Sequence, residues 1–512
     1  MSIILGKLNS ILLREHFGVN AQIVGDCLFS AVQSRPLSTI VKATGLTKNE
    51  VSAALASLIR FRLVKFGPGS SGNFVEYSIK ADKVYLLVRY AKYVQYIREK
   101  CGELAGLLIN ELQRVGSDIA TNLIIKCTET DVGRDKLCEL RREFLNLVQK
   151  NYVMRAPALV KGNEPNFVPE FNIDEHSFFM EPEIDVATLI RLKNREAVEP
   201  SDKEVYWFVN IDRLHQEFRD SVMVGAVERS IDSTAAECFC CMLELMYART
   251  AAWQAVTNPV SYSEIRHTIE KSPKWKLNAK LAKQLDQYIA VICEDNLKFV
   301  GKFGEAGGGQ YVIQMKHAIE QLTWSCIENV IDERFGKKAA RIFRIVRSQR
   351  YCDQDDIQKE AMIPSKEAKL FTYKLVEENF FQIKTIRKSG AGGGGAAKSF
   401  CLFHVDQPQI VSMLLEHCYK ALFNCLTRTD YIKTEGRRLI EKAQRLEMIV
   451  QAMKERGESE EYIQEIYETM TPPEKDLLEN INTRCKNLMY AEIGMDETIF
   501  LLQLYQDYQH LK

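Results

Sequence analysis

From Val51 through Ala54, Leu55 and Leu58 to Ile59, apolar residues recur every three or four positions. That spacing predicts one buried face of a helix. Thr47 stands ahead of the run as an N-cap, and Glu50 follows three residues later, which is the capping-box arrangement. Upstream, the pattern predicts helices over Ala21–Ala31 and Ser38–Thr44, with Gly45 and Leu46 as the turn. Downstream, Leu63–Phe66 and Phe74–Ile79 read as strands on either side of Gly67–Gly72. Three helices closed by a glycine-tipped hairpin make a winged helix.

The cycle returns three more times. Tyr85–Tyr96 links to a second copy with helices over Glu103–Val115, Ile119–Cys127 and Lys136–Gln149. Its wing begins at Tyr152–Arg155. The stretch from Pro157 to about Pro200 is polar, proline-marked and poorly periodic, and reads as an extended wing insertion or a partly mobile linker. A separate helix over Asp212–Arg229 precedes the third copy, which has helices at Ala235–Tyr247, Ser263–Glu270 and Asn278–Cys293. Its hairpin is Phe299–Phe303, Gly304–Gly309 and Gln310–Gln314. The fourth copy has Lys337–Arg347, Asp355–Ala361 and, after Pro364, Ser365–Glu378. Its hairpin is Phe380–Arg387, Gly390–Ala397 and Lys398–Val405. Beyond it, two helical runs, Gln409–Arg456 and Pro473–Tyr508, flank Thr471-Pro472-Pro473 and predict an antiparallel coiled-coil hairpin. The expected fold is α+β, mainly α: four tandem extended winged helices over residues 1–84, 85–204, 205–320 and 321–408, then a coiled coil over 409–512.

Composition narrows the function. The 512 residues carry 68 Lys plus Arg against 68 Asp plus Glu, whereas a free-standing DNA-binding protein is usually basic. Nucleic-acid contact is therefore expected from local patches or with help from partners. No run of about 18 apolar residues marks a membrane span. Met1–Phe17 reads as an amphipathic helix and not a signal peptide. The 14 cysteines, spread along the chain, read as reduced thiols of an intracellular protein.

Catalytic motifs are missing. The sequence has no P-loop, GxSxG, HExxH or Rossmann glycine pattern, and its glycine runs sit between strands instead of before a helix. Cys238-Phe-Cys240-Cys241 has no second cysteine pair at metal-site spacing and lies in a helical stretch, so buried structural thiols are expected. No catalytic residue, metal or cofactor is expected.

The basic residues are the candidate chemistry. Lys48, Asn49, Ser52 and Ala56 make a thin outer face on the third helix of the first copy. In the fourth, Lys366, Lys369 and Lys374 are mixed with Glu367, Glu377 and Glu378, whose carboxylates would repel phosphates. Base readout through these helices is disfavoured. Lys274, Lys276, Lys280 and Lys283 with Trp275 fit backbone or single-strand contact, or else a solvated face around a core tryptophan. Arg334–Arg350 is the densest positive segment. Lys337, Lys338, Arg341, Arg344, Arg347 and Arg350 occur there with no acid between. Its arginines lie opposite an apolar stripe, so they are free to hold phosphates or an acidic partner, and the fold should tolerate their charge reversal. Arg60, Arg62 and Lys65 form a smaller patch leading into the first wing.

Several long strings resemble one family. They are Val205–Asp220, Glu333–Gly336 with Ala340–Arg344, Met362–Lys369, and Asp496–Leu502. Together they resemble the family of subunit three of RNA polymerase III, the largest member of that enzyme's dedicated initiation heterotrimer. The resemblance runs from the first helix to the last. It implies four extended winged helices around a C-terminal coiled coil and no catalytic centre. It also implies binding to the two smaller heterotrimer subunits, to the clamp of the largest polymerase subunit and to the initiation factor that contains TATA-binding protein. Promoter DNA at the upstream edge of the bubble and a nuclear location follow from it as well. Gly162–Lys203 is short where relatives often carry a longer charged insertion. Two other classes fit less well. A free sequence-specific factor needs strongly basic third helices, and a scaffold of another large nuclear or proteasome-lid-like complex usually carries a single winged helix.

Overall fold

The computed structural model describes residues 2–31, 33–69, 74–130, 132–133, 136–160, 168–174, 177–194, 196, 198–247, 249–272, 279–387, 399–456 and 469–510. Its contacts divide into two compact units, one of Met1–His215 with Tyr419–Asp496, the other of Gln216–Cys418 with Glu497–Lys512.

In the first unit, α1 (Ile3–Phe17) starts at Ser2, whose hydroxyl accepts from the Ile4 and Leu5 amides. There follow α2 (Val19–Phe29), β1 (Arg35–Pro36) and α3 (Leu37–Thr44). Gly45 then takes the left-handed conformation (φ 70°), which a glycine reaches without a Cβ clash. α4 (Lys48–Arg60) begins with the expected Thr47/Glu50 capping box, and its stripe of Val51, Leu55 and Leu58 is buried, as are Val24 and Ile40. β2 (Val64–Pro68) and β3 (Val75–Ile79) pair antiparallel, and β1 adds to β3, giving the order β1-β3-β2.

α5 (Ala81–Tyr85), a 3-10 turn (Leu86–Arg89) and α6 (Tyr90–Cys101) lead to the second winged helix. It comprises α7 (Glu103–Val115), β4 (Asp118–Ile119), α8 (Ala120–Thr128), α9 (Leu137–Gln149) and β5 (Val153–Arg155). The stretch after Pro157 is not simply a linker. It holds the paired strands β6 (Ala158–Val160) and β7 (Glu170–Asn172) and the helix α10 (Val186–Lys193). Asp185 caps α10, and Leu189 is fully buried. The return strand is β8 (Tyr206–Val209), inserted between β4 and β5. Val205–Asn210, grouped with the third copy on sequence grounds, thus completes the second wing. Trp207 is wholly buried edge-on to Phe144 of α9, which fixes that placement.

α11 (Ile211–Ser230) starts in the first unit and ends in the second. The third winged helix has α12 (Ser233–Tyr247), β9 (Val260–Ser261), α13 (Tyr262–Lys271), α14 (Ala279–Lys283), α15 (Leu285–Glu294), β10 (Val300–Gly304) and β11 (Gln310–Ile313), with sheet order β10-β11-β9. The single third helix expected over Asn278–Cys293 is interrupted at Gln284, where φ is −120° and ψ 23°. At the wing tip Gly307, Gly308 and Gly309 all have positive φ (66°, 85° and 116°), so the glycines let the chain reverse there. The fourth copy has α16 (Met315–Phe335), α17 (Lys337–Gln349), α18 (Gln354–Ala361), α19 (Ser365–Glu377), β12 (Gln382–Arg387) and β13 (Ser399–His404). A bridge from Cys352 to Phe403 stands in for the first strand. The expected tip Gly390–Ala397 lies outside the described residues.

One turn recurs in all four copies. Arg62, Asn151, Lys298 and Asn379 have positive φ (61°, 61°, 48° and 61°) between the third helix and the hairpin. In three of them the Schellman hydrogen bonds are explicit. Leu63, Tyr152 and Phe380 donate to the carbonyls of Leu58, Leu147 and Leu375 at 2.9, 3.0 and 2.8 Å. All six side chains are buried, the apolar contact that accompanies this helix ending.

The C-terminal helices are α20 (Gln407–Glu435), α21 (Arg437–Arg456) and α22 (Pro472–His510). The expected run Gln409–Arg456 is split at Gly436, where a Cβ would lie 2.6 Å from Ile481 Cδ1. With Lys442 Nζ 2.7 Å from Glu474 Oε2, this contact sets α21 antiparallel to α22. Buried polar contacts anchor α22 in each unit. In the first, Asp496 accepts from Arg89 Nε at 2.7 Å and from the Tyr85 hydroxyl at 2.6 Å, with Arg89 only 2% exposed. In the second, the Tyr508 hydroxyl accepts from Arg219 Nη1 at 2.8 Å, and Arg219 also pairs with Asp220.

Candidate nucleic-acid interface

Helix α17 forms because Ala339, Ile342, Phe343 and Val346 make a buried stripe, and its arginines fall on the other side. Neighbouring helices meet those arginines. Arg344 Nε and Arg347 Nη1 lie 3.0 and 2.7 Å from the two oxygens of Glu328 on α16. Arg347 also donates to the Gln321 side-chain oxygen (3.0 Å) and stacks 4.5 Å from the Trp324 ring centroid. Arg341 Nη1 donates to the Ala361 carbonyl at the end of α18, where helix carbonyls lack partners. Lys338 pairs with Glu367, and Arg334 with Glu378. Arg350 and Lys337 are exposed and make no ion pair among the described residues. The segment without acids in sequence is thus surrounded by acids in space.

Of the lysines in the third copy, Lys274 and Lys276, with Trp275, lie outside the described residues. Lys280 falls within α14, and Lys283 is exposed at its end. In the first copy, Arg60 donates through Nε and Nη2 to the Ser117 carbonyl at 3.2 and 3.0 Å. Lys65 is exposed on β2.

Arg62 has a different setting. Its left-handed backbone turns the side chain over Phe208 of β8, with the guanidinium carbon 3.1 Å from the ring centroid. It lines a cavity of about 290 Å³ together with Lys80 and Lys83. None of the three makes an ion pair among the described residues, and Asp212, at the edge, is the one carboxylate in the lining. Burial pushes the Arg62 guanidinium down to about 10, so it stays charged at neutral pH. Lys80 is lowered by burial and then by the charges of Lys83, Lys65 and Arg62. Sequence analysis missed Lys80 and Lys83. The pattern Lys80-Ala-Asp-Lys83 gives no local cue, and only the pairing of β3 with β2, together with the remote strand β8, brings it to Arg62.

Other candidate chemistry is structural. Cys238 and Cys241 are buried in α12, and burial pushes the Cys238 thiol up to about 12. Tyr93 Oη and His215 Nε2 lie 2.8 Å apart. Burial, then the charges of Arg89 and Lys83, lower His215 to about 3. Among the described residues no cluster of His, Cys, Asp and Glu could hold a metal, and no helix is long and apolar enough to cross a membrane.

Family profiles match four segments. Residues 7–69 match the RNA polymerase III subunit RPC82 helix-turn-helix domain, and 161–322 match RNA polymerase III subunit RPC82. Residues 327–405 match the C-terminal winged-helix domain of POLR3C, and 438–501 the helical hairpin domain of DNA-directed RNA polymerase III subunit RPC3. Proteins named DNA-directed RNA polymerase III subunit RPC3 align along nearly the whole chain. The one from Bos taurus is 33% identical over 98% of both chains. The one from Homo sapiens is 32% identical, over 98% of this chain and 97% of its own, and that of Danio rerio 29%, over the same shares.

Proposed function

The chain belongs to the family of RNA polymerase III subunit RPC3, and from that membership we propose that it is a non-catalytic subunit of the initiation heterotrimer, working in the nucleus. In this reading it binds the two smaller heterotrimer subunits and the clamp of the largest polymerase subunit, and approaches the initiation factor that contains TATA-binding protein. It supports promoter recognition and opening at genes for tRNA, 5S rRNA and other small RNAs. Its own contact with single- and double-stranded DNA, near the upstream edge of the bubble, is weak and non-specific.

The observation that carries this is the chemistry of the third helices. A base-reading winged helix presents Arg, Lys, Asn or Gln to the major groove. The outward surface of α19 mixes its exposed lysines, Lys366, Lys369 and Lys374, with Leu370 and Tyr373, 64% and 56% exposed, and Met362 of the preceding turn is 86% exposed. Exposed apolar side chains of this kind suit a protein partner better than phosphates. The pairing of Arg344 and Arg347 with Glu328 and the zero net charge point the same way.

Affinity purification of the full chain from cells tests the reading. RNA polymerase III subunits are expected in the eluate, and recovery of subunits of a lid-type complex in their place would overturn it. Purified alone, the chain is expected to bind DNA with a steep salt dependence and little sequence preference. Nanomolar affinity for one duplex sequence at physiological salt would contradict it.

A further inference from the structure

We propose that the cavity lined by Arg62, Lys80 and Lys83 is a binding site for the phosphate of a nucleotide, free or within a flexible single strand. Three cationic groups from three places in the chain meet there: the turn after α4, the end of β3, and α5. Convergent positive charge without partners is costly to hold: burial lowers Arg62, and after burial the charges of Lys83, Lys65 and Arg62 lower Lys80. A doubly charged anion relieves that cost. Asp212 does not, because it is exposed at the edge and pairs with none of the three among the described residues.

Size and lining narrow the ligand further. A volume of about 290 Å³ exceeds what a bare phosphate fills, since one water takes ~30 Å³ in the liquid. Phe61, Tyr90 and Met154 give the remainder an apolar wall that suits a nucleoside. Arg62 is held flat by Phe208, so its donors are oriented before the ligand arrives. A concave site of this size admits a mononucleotide or an unpaired strand more readily than the convex backbone of a duplex.

The inference rests on the subunit reading only for bringing nucleic acid near the site. Calorimetric titration of the full-length chain at low salt tests it, with a nucleoside monophosphate, inorganic phosphate, a short oligothymidylate and acetate as probes. The monophosphate is expected to bind, phosphate to bind more weakly, and acetate not at all. K80Q with K83Q is expected to weaken the monophosphate by about tenfold or more, as loss of charge-assisted hydrogen bonds does. Lys80→Gln alone, at an exposed position, gives a smaller loss without threatening the fold. Oligothymidylate that displaces the monophosphate identifies a strand as the source. Oligothymidylate that leaves it bound identifies a free nucleotide. Equal binding of acetate, no binding of the monophosphate, or an unchanged affinity in the double variant overturns the site. A chain that recovers polymerase subunits but binds no nucleotide refutes the cavity alone. One that binds nucleotide but recovers no polymerase refutes the subunit reading alone.

Discussion

At the scale of single residues, the left-handed turn after each third helix is the most repeated feature of the chain. Asn379 sits there with φ 61° and an exposed side chain. Asparagine tolerates this conformation better than alanine, and glycine tolerates it best. Asn379→Ala is therefore expected to cost about 1 kcal/mol, and Asn379→Gly to be near neutral. Chemical denaturation of both variants checks this, and equal stability would show that the backbone there is not strained. His215 gives a second residue-scale expectation. Its folded value, about 3, lies below its ordinary one, so the unfolded chain binds the extra proton first. Its contribution is fully present above pH ~6.5 and falls as the pH drops towards 3, by at most about 1.4 kcal/mol per pH unit. Unfolding measured between pH 7 and 5 should show a shallower loss in His215→Asn than in the parent chain. An identical slope would mean that His215 already titrates in the folded state.

At the scale of elements, local periodicity revealed the helices because it needs only neighbours along the chain. α7 coincides with the helix expected over Glu103–Val115, and four of the five stripe residues on α4, Val51, Ala54, Leu55 and Leu58, are buried, with Ile59 half-buried. The return strand β8 escaped because its partners, Asp118–Ile119 and Val153–Arg155, lie roughly 90 and 50 residues upstream, respectively. The basic sites were legible as composition and not as chemistry. Arg344 and Arg347 are close in sequence to no acid, yet Glu328 of another helix takes both. The expectation that all four arginines of α17 tolerate reversal therefore divides. Arg347→Glu sets one carboxylate against another and loses the Trp324 contact, at an expected cost of about 2 kcal/mol. Arg350→Glu should stay within about 0.5 kcal/mol. Melting of the two variants decides it, and equal values would show that the Glu328 pairing carries no weight. On α19, Leu370→Ser with Tyr373→Ser should leave stability nearly unchanged, because both side chains are largely in water. Recovery of partner subunits should fall, and full recovery would exclude α19 as a protein-facing surface.

At the scale of the whole molecule, 68 basic and 68 acidic residues leave no net field to draw the chain onto DNA. What specifies the fold at this scale is burial, and α22 supplies buried side chains to each unit. Asp496 is 4% exposed and is the carboxylate that balances Arg89. A buried pair of this kind adds little compared with an apolar replacement, but losing one partner strands the other charge away from water. Asp496→Asn keeps the size and one acceptor, yet leaves the Arg89 guanidinium uncompensated. The expected loss is about 3–5 kcal/mol, seen as a lower unfolding midpoint in the full chain. Arg89→Met with Asp496→Leu removes both charges at once and should recover much of that stability. If the single variant loses less than about 1 kcal/mol, or the double one is no better, the anchor of α22 in the first unit is not electrostatic.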